Sequence, residues 1–321
     1  MRCLCCGKDI IENATTDEKN NLWHRKCIKK FFGVNSMPII DISESQMAKL
    51  ASDTVNKGLT VPGVQKKLSL HLSKCEDVRL TIVNYPTGYI LKPQTDEYES
   101  LPEFEDLAMR LAEIVGIKTV PHALIKINNK YAYITKRVDR NIKDSKVELY
   151  AMEDFCQLSN RLTQDKYKGS YEKCSRIIKQ YSIYPGLDLS ELFLRVLFSY
   201  IVGNSDMHMK NFSLKETEPA NRKFRLSEAY DMLPVNVVMP EDKEQLALTI
   251  NGKKRNIRKK EFYIFAEQCN ISKITAKKII NKVCSSEAKF MEECDKSYLS
   301  DEYKELTKNL IKDRINTVKD I

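Results

Sequence analysis

The pattern of the sequence predicts an α+β fold: short stretches with a period of two and a single amphipathic helix run to about residue 150, and helix-period stretches fill the rest. Cysteine placement adds a third unit, because three of the ten cysteines fall in the first six residues. The expected organisation is an N-terminal module over 1–40, a sheet-rich part over 41–150 and a helical part over 151–321. With 321 residues, 30% charged and 42% hydrophobic, the chain has enough apolar surface to bury a core, which excludes disordered and collagen-like classes. The longest apolar stretch, Leu192 to Val202, contains Arg195 and is far shorter than the roughly 20 residues of a membrane span. Lys8 and Asp9 interrupt the N-terminus before any apolar signal core can form, so the chain reads as cytoplasmic with no membrane partner. A net charge of +9 permits nucleic-acid or acidic partners without selecting one.

Each element has a local reason. Met47, Leu50, Ala51 and Val55 recur at helical spacing after Ser43 and Glu44, predicting a helix over 43–55. Leu68-Leu70-Leu72, Leu80-Ile82 and Tyr89 to Leu91 read as strands, the last two joined by the turn Tyr85 to Gly88. Phe104, Leu107, Ala108, Leu111 and Val115 make one helix face, ended by Gly116. Ala123 to Ile127 and Tyr131 to Thr135 read as a hairpin through Asn128 and Asn129. Arg140 to Val147 reads as a charged linker. Helices are then expected over 152–158, 171–181, 187–202, 260–269, 274–293 and 303–318, with a strand at Phe224 to Leu226.

Cys3 and Cys6 are separated by two residues, His24 and Cys27 by two more, with seventeen between the pairs. Such gaps let two ligands converge from one tight turn, and thiolate with imidazole suits a structural Zn²⁺. A metal also supplies folding energy that forty residues cannot draw from their own core. Trp23, the only tryptophan, would pack beside the site, while Cys5 stands either as an alternative ligand or as a spectator. The competing account is a set of free thiols at a frayed terminus.

The segment Gly203-Asn-Ser-Asp-Met-His-Met-Lys-Asn-Phe212 follows an apolar helix and is read as a loop leaving a buried element. Asp206 and Asn211 have four residues between them, the spacing of a protein-kinase catalytic loop, in which the Asp takes the hydroxyl proton and the Asn holds Mg²⁺. Lys210 would supply positive charge to a phosphoryl group in transit. Twenty residues after Asn211, Asp231 in Tyr230-Asp-Met-Leu-Pro234 offers a second hard oxygen ligand for Mg²⁺. Lys92 ends a predicted strand ahead of the helix that holds Glu103 and Glu105, an order suited to a lysine–glutamate pair aimed at ATP phosphates. The stretch Thr60 to Leu68 would cover those phosphates with backbone, although it holds one glycine where protein kinases have three. Singly each residue is more often a cap or a solvated side chain; their order along the chain is what points to phosphoryl transfer.

At these residues the chain resembles the HipA-like serine/threonine kinases, toxins of bacterial toxin–antitoxin modules. The segments G-N-S-D-M-H-M-K-N-F, Y-D-M-L-P, V-P-G-V-Q-K-K-L, I-L-K-P and M-E-D-F-C-Q carry the resemblance, from about Thr60 to near the C-terminus. It implies a two-lobed, protein-kinase-like fold with a small sheet-rich lobe and a larger helical lobe. It implies Asp206 as base with Lys210 beside it, Asn211 and Asp231 as Mg²⁺ ligands, and Lys92 as the ATP lysine. Gly63, Val64, Gln65, Lys66 and Lys67 would form the ATP cover, and Glu153 and Phe155 would meet adenine through their backbone groups. His208 would either touch phosphate or metal-bound water, or hold the loop's shape. Thr60 takes the place of a serine that family members autophosphorylate to silence themselves, and Pro62 removes one neighbouring acceptor. Only about sixty residues precede the cover, which is similar to the shorter HipT form whose missing piece is a separate protein, HipS. A HipB-like helix-turn-helix antitoxin, a HipS-like protein, operator DNA reached only through the antitoxin, and an aminoacyl-tRNA synthetase substrate are the implied partners. The contrasting function is a catalytically silent regulator that binds DNA or antitoxin through the metal module and the cations of Lys253 to Lys260. That run lacks interleaved aromatic residues and reads first as a solvated face, and His71 and His122 read as structural.

Overall fold

A computed structural model describes residues 1–40, 67–74, 78–81, 87–143 and 146–319. The chain divides into two compact units, Met1–Asp106 with Val120–Val147, and Leu107–Thr119 with Glu148–Ile321. The expected helix over 43–55, the turn before Thr87 and most of the covering segment, including Thr60, lie outside the described residues.

Among the described residues the first unit is built on a six-stranded sheet, β1 (Ile39–Ile40), β2 (Leu68–Ser73), β3 (Arg79–Thr81), β4 (Tyr89–Pro93), β5 (His122–Ile127) and β6 (Lys130–Lys136), ordered β1-β3-β2-β4-β6-β5. All neighbours are antiparallel except β1 with β3. Asn128 and Asn129 both take positive φ, 49° and 62°, the left-handed geometry that a two-residue hairpin turn requires and asparagine tolerates. Leu68 and Leu70 of β2 are buried on either side of exposed Ser69, as the period of two predicts, while Leu124 and Ile134 lie in runs of β5 and β6 that are buried on both faces.

The N-terminal segment closes this sheet. Thr15 caps the helix Thr16–Asn21 through a reciprocal bond with Glu18, and a second helix spans Arg25–Phe32. β5 is an edge strand, and its outward groups at Leu124 are both used: the N–H donates to Leu4 O at 3.1 Å and the carbonyl accepts from Trp23 Nε1 at 3.0 Å. Phe31 and Phe32 then pack against Tyr89 of β4, with ring centroids 6.0 and 5.4 Å apart. The segment thus shares one core with the sheet.

Beyond β6, Arg137 and Arg140 both clasp the Asp139 carboxylate, the nearest N–O distance being 2.8 Å in each pair. Burial alone would raise this carboxyl's pKa, and the two guanidiniums more than reverse that, to about 2. A depressed carboxylate stabilises the fold above its ordinary range and loses that contribution as pH falls towards 2, so the pair of clasps should supply about 2 kcal/mol at neutral pH. Asp139→Asn is expected to flatten the acid limb between pH 4 and 2, read by urea unfolding.

In the second unit the helix Pro185–Val202 is buried along almost its whole C-terminal half, and the helices Tyr171–Tyr181 and Asp301–Val318 pack on it. Lys259–Gln268, Lys273–Cys284 and Glu287–Lys296 complete the helical part. A small sheet has the order β11-β10-β9, from β9 (Met152–Asp154), β10 (Ser213–Glu216) and β11 (Phe224–Leu226).

Three expectations need correction. The expected helix over 152–158 is instead β9 followed by a turn of 3₁₀ helix, Gln157–Ser159, because Met152 to Asp154 pair with Ser213 to Lys215 and long-range pairing overrides local pattern. Arg140 to Val147 is no linker: β7 (Arg140–Lys143) and β8 (Lys146–Leu149) form a two-stranded ladder whose exposed Asn141, Ile142, Glu148 and Leu149 explain the polar reading. The stretch 274–293 is two helices, broken where the Ser285 and Ser286 hydroxyls both donate to Lys282 O at 3.0 Å.

Candidate active site

In the first unit, Lys92 stands on β4, where its partner across the ladder is Tyr133. Its Nζ lies 2.7 Å from Glu105 Oε1 and 5.6 Å from the centre of the Tyr133 ring, and both charged side chains are almost fully buried. Of the two candidate acids on the helix Leu101–Ile114, Glu103 and Glu105, it is Glu105 that takes the lysine. Glu103 does not share that charge, and burial, with Asp106 nearby, pushes its pKa up to about 7. An ammonium has three donors, and the Glu105 carboxylate takes one of them.

In the second unit, the helix Pro185–Val202 ends at Gly203, whose φ of 73° and close approach to Leu310, 3.0 Å from where a Cβ would stand, require glycine. The loop that follows is fixed by its own polar groups. Asn204 Oδ1 accepts from the Asp206 N–H at 3.2 Å, and the Ser205 hydroxyl donates to Asp242 Oδ2 at 2.6 Å. The Asp206 carbonyl accepts twice, from the His208 N–H at 2.7 Å and from Asn211 Nδ2 at 2.9 Å. Asn211 is buried and joined to the residue four positions before its neighbour Lys210, so the two candidate roles sit in one hydrogen-bonded turn.

Asp231 is tied to this turn through the residue before it. The Tyr230 hydroxyl donates to Lys210 O at 3.0 Å and lies 2.6 Å from Ser213 Oγ. Asp231 itself is exposed and takes a φ of 59°, an uncommon conformation for a non-glycine residue and one found at functional turns. Burial, and after it the Lys166 charge, hold the His208 imidazole down at about 4, with Asp231 acting in the opposite sense. His208 is accordingly neutral at pH 7, with its Nε2 3.9 Å from Asp206 Oδ1.

Two residues here escape the sequence reading. Asp154 on β9 holds Lys210, Nζ to Oδ2 2.6 Å, and nothing in the sequence connects positions 56 apart. The Tyr167 hydroxyl donates to Asp206 Oδ1, although its segment reads only as packing. Phe155 is fully buried and stacked on Phe212, and its N–H is spent on Phe212 O at 3.0 Å. Glu153 is exposed and pairs with Leu214. Of the cover, only the exposed Lys67 is described; Gly63, Val64, Gln65 and Lys66 are not.

Away from this turn, Cys3, Cys6, His24 and Cys27 bring one ligand atom each to within 4.8 Å of one another. Cys6 Sγ is 3.3 Å and Cys27 Sγ 3.9 Å from His24 Nδ1, close to the edges of a tetrahedron around Zn²⁺, about 3.5 Å for sulfur and nitrogen. His24 Nε2 faces Asp9 O at 3.1 Å, which orients Nδ1 inward. Burial and the neighbouring Cys3 and Cys5 thiols push the Cys27 thiol up, whereas at Cys6 burial is outweighed by hydrogen bonds, which bring it down to about 7. Cys5 is outside the cluster.

A sequence model of the HipA-like C-terminal domain matches residues 59–290. The chain is 26% identical over 189 residues to a Haemophilus influenzae protein named "Putative kinase", covering 56% of this chain and 54% of that one. It is 27% identical over 237 residues to "Putative kinase Y4mE" of Sinorhizobium fredii, covering 71% of this chain and 55% of that one. The chain thus spans about half the length of these curated relatives. Among solved structures, it shares its fold with HipA of Shewanella oneidensis, determined with HipB and operator DNA, at a TM-score of 0.67 and 18% identity over 81% of this chain and 64% of that one. The Helicobacter pylori proinflammatory kinase CtkA matches with a TM-score of 0.53 and 17% identity over 74% of this chain and 86% of that one. With 59–290 matched by the family and the fold shared with HipA, the chain belongs to the HipA-like C-terminal domain family.

Proposed function

We propose that this protein is an ATP- and Mg²⁺-dependent protein serine/threonine kinase of the HipA type. The observation that carries the reading is the turn in which Asn211 Nδ2 binds the Asp206 carbonyl while Tyr230 binds the Lys210 carbonyl, fixing a carboxylate, an amide and the approach to Asp231 in one network. Asp206 takes the proton of the attacking hydroxyl, whose oxygen bonds to the γ-phosphorus as the bond to the β-phosphate oxygen breaks and ADP leaves. Asn211 and Asp231 would hold Mg²⁺, which neutralises charge on the phosphates when bound. Lys92, aimed by Glu105, and Lys210, aimed by Asp154, supply the remaining positive charge. Neutral His208 shapes the loop. Glu153 and Phe155 line the adenine end, where the Phe155 N–H is already engaged by Phe212 O.

The same reading makes Gly63 to Lys67 the phosphate cover, Thr60 the autophosphorylation site and Zn²⁺ the structural ion of the cysteine–histidine cluster. A HipB-like antitoxin, a HipS-like companion, an aminoacyl-tRNA synthetase substrate, a toxin role and a cytoplasmic location complete it. HipB and DNA accompany HipA in the solved relative, and no helix among the described residues is long and apolar enough to cross a membrane. The silent-regulator reading draws little support from its basic run: Lys253 is paired with Glu261 at 2.6 Å and Lys254 with Glu244 at 3.0 Å.

Calorimetric titration with ATP tests the metal assignment. Wild type should bind ATP at least about tenfold more tightly with Mg²⁺ than without, and Asp231→Asn should lose most of that difference, since an amide is a weaker ligand for a hard cation than a carboxylate. Equal Mg²⁺ dependence in both proteins would remove Asp231 from the metal site.

A further inference from the structure

A kinase must give its base to a protein hydroxyl and withhold it from water, although both are O–H donors of similar size. In this chain one carboxylate oxygen of Asp206 already carries a donor: Oδ1 accepts from the Tyr167 hydroxyl. The phenol is held from several sides. Its ring meets the His208 ring edge-on at 5.0 Å between centroids, and Lys166 Nζ lies 4.9 Å from its centre. The segment is pinned to the catalytic turn by the Met209 N–H, which donates to Lys166 O at 3.2 Å. Burial, and next the Asp206 charge, push the phenol far above its ordinary pKa, so it remains a donor and does not repel the carboxylate.

We propose that Tyr167 is a specificity residue: its hydroxyl occupies the acceptor's place on Asp206 in the resting enzyme, keeps water from that place, and yields it to the hydroxyl of a bound protein substrate. This rests on the reading of Asp206 as the base. The physical basis is that a hydrogen bond to a charged group is worth roughly tenfold or more in occupancy, and the phenol is already held in place to make it whereas a water must be immobilised. A protein substrate displaces the phenol with binding energy from contacts remote from the reacting hydroxyl. Partly exposed Tyr167 has solvent on one side into which to move, whereas the Asp206 backbone is fixed by its turn.

The test is release of inorganic phosphate from MgATP with no acceptor added, by wild type, Tyr167→Phe, Tyr167→Leu, Asp206→Asn and the Tyr167→Phe/Asp206→Asn double variant. In hydrolysis the water oxygen bonds to the γ-phosphorus, ADP leaves, and the water proton goes to Asp206. Phe keeps the ring packing against His208 and Lys166 while deleting only the hydroxyl, and thermal melting checks both Tyr167 variants. Both should release phosphate about tenfold faster than wild type, and the double variant should return to the Asp206→Asn level. Release equal to or slower than wild type would overturn the proposal and make Tyr167 a support for the loop. If in that case Asp206→Asn still falls below wild type, the base survives and only the role of Tyr167 fails. A rise that persists in the double variant would refute both, since hydrolysis would then bypass Asp206.

Discussion

Chelation of the Zn²⁺ proposed at Cys3, Cys6, His24 and Cys27 should move the emission of Trp23 to the red and lower the melting temperature of the chain by about 10 °C or more. Trp23 is the only tryptophan, is fully buried and follows the first helix directly, so its fluorescence reports this segment alone. The size follows from what the cluster holds. The helices Thr16–Asn21 and Arg25–Phe32 are shorter than the roughly 12 residues at which an isolated helix becomes even marginal. Their order depends on the cluster and on Phe31 and Phe32 against Tyr89, and structural zinc supplies about 10 kcal/mol or more in small zinc domains. Loss of the segment would also bare the β5 edge at Leu124. Cys27→Ser should reproduce the effect and Cys5→Ser should not, since Cys5 is outside the cluster. One zinc per chain by elemental analysis is expected; an unchanged Trp23 spectrum with no metal released would remove zinc from the account.

Replacing Glu105 with Ala should destabilise the first unit by about 3–5 kcal/mol, because it leaves the Lys92 ammonium buried without its counter-charge. Lys92→Met/Glu105→Met should recover much of that loss, since an apolar pair of similar volume bears no desolvation cost. Stability and function then separate. The double variant should fold, by urea unfolding, and still transfer phosphate at less than about 1% of the wild-type rate, because the cation proposed to meet the phosphates from β4 is gone. A folded double variant with wild-type phosphotransfer would make the pair purely structural.

Legibility in the sequence varied with the range of the interactions. The helix Tyr171–Tyr181 and the hairpin through Asn128 and Asn129 are set by neighbours along the chain, and both can be read from periodicity and turn chemistry. β9 cannot, since its partner β10 lies some sixty residues on and decides its conformation. The candidate site divides in the same way. Asp206 and Asn211 are joined within one turn, and Cys3, Cys6, His24 and Cys27 announce themselves by spacing. The choice of Glu105 over Glu103 needs the helix rotation relative to β4, and the Asp154 and Tyr167 contacts need the tertiary fold.

The central claim is that Asp206 is the base of a phosphotransfer site. Its most direct test is intact mass after incubation of the purified chain with ATP and Mg²⁺, beside Asp206→Asn, whose amide cannot take a proton and should slow the chemistry by about 10²-fold or more. Wild type alone should gain one phosphate, mapping to Thr60. An equal gain by both proteins, or by neither, would contradict it.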